Sequence, residues 1–141
     1  MVFRGLVFAL AVCTVSDVVL AQPPRNGEIR DYADSREMDV TRCKLGSLNA
    51  RVSQSLASDS PDATKAKHEY WDCLSKASRD AKENLPKALN STKSKEIKDA
   101  LKNLYVAWDA YMGDLGNRKS KTLQDSYETA KSKLEVELLS Q

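Results

Sequence analysis

The sequence is poor in the residues on which most catalytic and metal-binding chemistry depends. Its 141 residues include one histidine, three cysteines and five glycines. The single histidine, His68, argues against a zinc site, because such sites combine several His and Cys ligands. The chain also has no Cys-x-x-Cys-His sequence for covalent haem and no glycine-rich phosphate loop. We therefore predict a non-enzymatic protein that has neither a metal site nor a cofactor.

Strong charge of one sign is also absent. Lysine and arginine total 22, aspartate and glutamate total 20, and the formal net charge is +2. This near balance argues against a nucleic-acid-binding protein, which would present a strongly basic surface. The length fits one small domain and excludes a large or multidomain enzyme.

The most apolar part of the sequence is its N-terminus, where 16 of the first 21 residues are hydrophobic. Arg4 precedes the apolar run, and Val19-Leu20-Ala21 ends it with a small residue at the expected cut. This arrangement is typical of a cleaved secretory signal peptide. We expect a signal peptide at residues 1–21, a polar lead at 22–28 and one helical domain at 29–139. The expected location is the periplasm or the outside of the cell, with a bacterial source favoured.

Two cysteines, Cys43 and Cys73, remain after the expected cleavage. Paired cysteines in exported proteins usually form disulfides. Between them, Ser60-Pro61 is typical of the start of a helix, because serine caps the first turn and proline suits its first position. A helical hairpin that turns near residue 58 places the two cysteines at the same height. The sequence therefore predicts a structural Cys43–Cys73 disulfide.

The rest of the chain has helical periodicity and no strand-like alternation. We predict helices at about 28–57, from Pro61 onward, at 94–115 and at 121–139, with Pro86 kinking or ending the second. The strongest apolar stripe lies on the third helix and comprises Ile97, Ala100, Leu101, Leu104, Trp108, Tyr111, Met112 and Leu115. Short connections favour an up-down-up-down four-helix bundle, and three helices plus a short one is the alternative. Asn90-Ser91-Thr92 is a glycosylation sequence that would matter only in a eukaryotic source.

The first helix carries two apolar stripes on nearly opposite sides. One stripe comprises Met38, Leu45, Leu48, Val52 and Leu56, and the other comprises Ile29, Tyr32, Val40, Cys43 and Ala50. Either Gly46 resets the helical phase, or this helix contacts neighbours on two sides. The sequence leaves both readings open.

Some large apolar side chains lie away from the stripes that a bundle core would use. Tyr105 is at the edge of the third helix's stripe, Val106 points nearly opposite to it, and Trp71 is off-centre on the second helix. We interpret Trp71, Tyr105 and Val106 as candidates for a shared interaction surface, since aromatic residues are enriched in interface cores. The predicted function is binding of another macromolecule, an unidentified protein or envelope component. The alternative is a carrier that holds an apolar ligand or cofactor inside the bundle.

Overall fold

The computed structural model describes residues 26–115 and 121–140, and this part of the chain is helical apart from short connections. It contains four helices, α1 (Gly27–Leu56), α2 (Pro61–Asn90), α3 (Lys95–Gly113) and α4 (Lys121–Leu139), and no strand lies among the described residues. The predicted all-α class with four helices is confirmed. The expected signal peptide at residues 1–21 and most of the polar lead lie outside the described residues.

The helix starts follow from short polar sequences before them. Ser60 caps α2, since its Oγ accepts a hydrogen bond of 3.1 Å from the backbone N–H of Ala63, and Pro61 occupies the first helical position. Ser94 caps α3 in the same way, through a 3.2 Å bond from the N–H of Ile97. These caps satisfy backbone donors that have no partner within the helix.

Two residues that could interrupt a helix lie inside continuous helices. Gly46 lies within an unbroken α1, which argues against the alternative that it resets the helical phase. Pro86 lies inside α2, which continues to Asn90 instead of ending there. Proline removes one backbone donor, but the last turn still packs on the core through buried Ala88 and partly buried Leu89.

The core lies where α1 and α2 meet α3. Adjacent helices run antiparallel, α1 packs most extensively on α2, and α3 packs most extensively on α4. The predicted stripe of α3 is buried throughout. The largest fully buried side chains are Trp108, Tyr127, Ile29, Ile97, Leu101, Leu104 and Leu134. A helical bundle with one disulfide is therefore the observed architecture.

The two pairs of helices differ in length. α1 and α2 have 30 residues each, whereas α3 and α4 have 19 each. The end of α3 lies beside Trp71 and Leu74, which share a surface cavity with Met112 and Gly113. Residues 46–70 therefore extend beyond α3 and α4, and we call them the projecting hairpin.

Candidate interaction surface

One side of α1 exposes a row of large aliphatic side chains. Its members are Met38, Leu45, Leu48, Val52 and Leu56, and we call them the outer face. The row extends from residue 38 to residue 56, a rise of about 27 Å at 1.5 Å per residue. The second alternative, in which α1 contacts neighbours on two sides, also fails, because no described helix covers this side.

The opposite side of α1 is buried, although half of it is polar. It consists of Ile29, Tyr32, Arg36, Asp39, Cys43 and Ser47. α2 packs on this side because the disulfide holds Cys43 toward it. The sequence prediction missed the polar members of this row. Their spacing could have predicted their burial, because Arg36 and Asp39 continue the three- and four-residue spacing of Tyr32 and Cys43.

Arg36 is the centre of the buried polar group and is only 3% exposed. Its guanidinium carbon lies 5.1 Å from the ring centroid of Tyr32 and 4.8 Å from that of Trp108. Its Nη1 donates to the Ala77 carbonyl oxygen at 3.2 Å, and its Nη2 lies 3.0 Å from Oδ2 of Asp39. The guanidinium therefore joins α1 to α2 and α3, and its charge is compensated within the bundle.

Asp39 has two arginine partners, yet its pKa lies above the ordinary value. Arg42 donates to its Oδ1 at 2.6 Å, in addition to the contact with Arg36. Burial raises the pKa of Asp39 above its ordinary value of 3.8, and the two arginines only partly offset this effect. A raised pKa means that the folded state binds this proton more tightly than the unfolded state does. The stabilisation from protonating Asp39 is therefore complete below pH 3.8 and is lost as the pH rises through the folded pKa.

We expect the pKa of Asp39 to lie above the ordinary value of 3.8 and the pKa of Asp80 to lie below it. Asp80 is partly exposed and accepts a 2.6 Å hydrogen bond from Lys76, which lowers its pKa. Carbon NMR of the side-chain carboxyl groups during a pH titration measures both midpoints in one sample. A midpoint of Asp39 at or below that of Asp80 would show that its ion pairs outweigh its burial.

The predicted disulfide is present at the base of the projecting hairpin. Cys43 and Cys73 are bonded, their Cα atoms are 5.6 Å apart, and Cys43 is fully buried. Beyond the bond, the hairpin buries only Ser47, Ala63 and Ala66. The disulfide therefore fixes α1 to α2 at the point where cover from α3 and α4 ends.

The three interaction candidates from the sequence differ in their surroundings. Val106 and Trp71 are 64% and 54% exposed, whereas Tyr105 is partly buried with its ring stacked on Trp108 at 6.3 Å. Trp71 contacts the ring of Tyr70 and lines a cavity of about 680 Å³ whose walls include neither Tyr105 nor Val106. The idea that these three side chains form one surface stays a prediction.

Metal sites and membrane-spanning helices are absent from the described residues. Residues 26–115 and 121–140 contain no cluster of three His, Cys, Asp or Glu side chains that could hold a metal ion. None of their helices is long and apolar enough to cross a membrane. His68 is exposed, at the wall of a surface cavity of about 480 Å³ between α1 and α2.

Comparisons of the chain with protein-family models, with curated proteins and with solved structures find no significant match.

Proposed function

We propose that this chain is an exported, non-enzymatic binding protein that attaches to another macromolecule or envelope component through the outer face of α1. The observation that carries the proposal is the row of five large aliphatic side chains left uncovered on one helix. At the size of leucine, valine and methionine side chains, they expose an apolar area on the order of 500 Å². Contiguous apolar patches of this size on soluble proteins are frequently binding sites.

Export is supported by two independent features. The apolar run that ends in Val19-Leu20-Ala21 is typical of a secretory signal peptide. The Cys43–Cys73 disulfide fits an oxidising compartment such as the periplasm or the outside of the cell. A protein that keeps an uncovered aliphatic row in such a compartment has a surface suited to contact with other envelope molecules.

The alternative function is a carrier with an apolar ligand inside the bundle. The centre of the bundle is occupied by Trp108 and Tyr127, and the Arg36–Asp39 pair lies beside Trp108. An apolar ligand placed there would have to displace rings and leave two charges without partners, which is costly. The surface-binding proposal is therefore better supported.

Site-specific photocrosslinking tests the proposal with a matched pair of positions. Val52 lies on the outer face and Val106 on α3, and the two valines are 55% and 64% exposed. We expect p-benzoylphenylalanine at position 52 to form adducts in intact cells, with the product recovered outside the cytoplasm and starting at Gln22. The same residue at position 106 is the control for random collision.

Equal adduct formation at both positions, or none at position 52, would show that the outer face is not the binding surface. Adducts confined to position 106 would favour the surface predicted from Trp71, Tyr105 and Val106 instead. Recovery of the whole product from the cytoplasm with Met1 retained would contradict export.

A further inference from the structure

We propose that the component bound by the outer face is the surface of an anionic lipid bilayer. This inference rests on the proposed function, because it names the partner of the same face. Three features of that face carry it, namely its charge, its shape and its side-chain chemistry.

The charge along the outer face has one sign from Val40 onward, whereas its Met38 end lies beside the exposed carboxylates Asp34 and Glu37. Between Val40 and Asp59, α1 and the turn after it contain three cations, Arg42, Lys44 and Arg51, and no carboxylate. Asp39, just before this stretch, is buried and already paired with Arg36 and Arg42. The exposed side of α1 from Val40 to Leu56 is therefore apolar and basic, and its complement is apolar and anionic.

The cations flank the apolar row on both sides. At 100° per residue, Arg42 lies about 70° to one side of the centre of the row. Lys44 and Arg51 lie about 90° and 110° to the other side. Long basic side chains in these positions extend along the apolar surface and reach headgroup phosphates while the aliphatic row enters the interface.

The shape and chemistry of the face fit a lipid surface better than a protein. The row lies on the convex side of a single helix, and its five side chains are absent from the walls of the main surface cavities. Its members are all aliphatic. Protein interfaces draw most of their affinity from aromatic and arginine side chains inserted into pockets. A flat bilayer needs no pocket and accepts an aliphatic ridge.

A helical partner, including a second copy of this chain, fits less well. Met38, Leu45 and Val52 are seven residues apart, as in one position of a coiled-coil seam. The alternate seam position is held by Thr41, Leu48 and Ser55, so two of its three residues are polar. A second copy would also bring the basic α1 surface against another basic surface, which is unfavourable.

Vesicle flotation with the exported, oxidised protein tests the inference. The probes are vesicles of equal parts phosphatidylcholine and phosphatidylglycerol, and vesicles of phosphatidylcholine alone. We expect binding to the anionic vesicles and at least tenfold weaker binding to the neutral ones. High salt should weaken binding to the anionic vesicles, because it screens the contribution of the cations.

Two variants divide the binding into its apolar and basic parts. The Lys44→Gln and Arg51→Gln double variant should bind anionic vesicles roughly 25-fold more weakly, at about fivefold per cation. Val52→Asp should abolish detectable binding, because it places a carboxylate in the row. Val106→Asp, a matched change on α3, should bind like the unchanged protein, and circular dichroism verifies that every variant is folded.

Each other outcome decides against the inference. Equal binding to both vesicle types, or unchanged binding by Val52→Asp, would overturn it. A dimer in light scattering that Val52→Asp converts to a monomer, without vesicle binding, would identify a second copy as the occupant. Protein adducts at position 52 without vesicle binding would overturn the bilayer while the proposed function stands. Absence of both adducts and vesicle binding would overturn the two together.

Discussion

Trp108→Ala should lower the free energy of unfolding by about 3–5 kcal/mol, the usual loss when a buried tryptophan is truncated. Trp108 has no exposed surface, and its Nε1 donates to the Arg36 carbonyl oxygen at 3.1 Å. Its ring also lies against the Arg36 guanidinium and stacks on Tyr105. The truncation therefore leaves a cavity and also removes the ring that covers a buried charge. Denaturant unfolding followed by circular dichroism measures the loss.

The second tryptophan provides the control for this variant. Trp71 is about half exposed on α2, so Trp71→Ala should cost less than about 1 kcal/mol, in the range of most surface substitutions. The assignment of the buried side of α3 would be wrong if the two variants unfolded at the same denaturant concentration.

Cys73→Ser should lower the free energy of unfolding by about 2–5 kcal/mol, the range for loss of a disulfide from a small exported domain. The bond joins residues 30 apart in sequence, so its removal frees a long loop in the unfolded chain. The native state loses support as well, because the projecting hairpin beyond the bond buries little besides Ser47, Ala63 and Ala66. Cys73 is the gentler position to change, since Cys43 is fully buried and a serine there would bury a hydroxyl.

Reduction provides an independent measure of the same bond. A thiol reductant should bring the unchanged protein close to the stability of Cys73→Ser and should leave the variant unaffected. An identical unfolding midpoint for the variant and the oxidised protein would show that the disulfide does not stabilise the fold.

The features that are predictable from sequence are those for which the local pattern allows only one packing arrangement. The stripe of α3 from Ile97 to Leu115 follows helical spacing and is buried throughout. The disulfide follows from two cysteines placed symmetrically about residue 58, in the turn before Pro61. In both cases the local pattern and the tertiary packing demand the same arrangement, so periodicity alone is sufficient.

Periodicity fails on α1 because both of its sides are apolar in part, and only the neighbours determine which one is buried. The disulfide identifies the buried side of α1, because the side that carries Cys43 must face α2. Arg36 was missed because a pattern of apolar residues treats a charged side chain as solvated. The ring of Tyr32 lies one turn before Arg36 on α1, but the ring of Trp108 comes from α3, 72 residues away in sequence.

The outer face is harder to predict from the sequence than the buried side of α1. Val106 is exposed, and so is the aliphatic row of α1, but the sequence does not show where α3 and α4 end relative to α1. Exposure of the row follows from the positions of α2 and α3, which pack on the other side of α1 and leave the row uncovered from Met38 to Leu56. Because that is a property of how the helices are aligned in space, no single segment encodes it.

The placement of core and contact residues on opposite sides of α1 has an evolutionary consequence. Leu48 and Val52 lie outside the buried core, whereas substitutions at Arg36 or Cys43 alter the packing between helices. Selection can therefore change the affinity or preference of the outer face one residue at a time without a loss of stability. Among descendants of this chain, the inner side of α1 should diverge slowly while the outer side adapts to different partners.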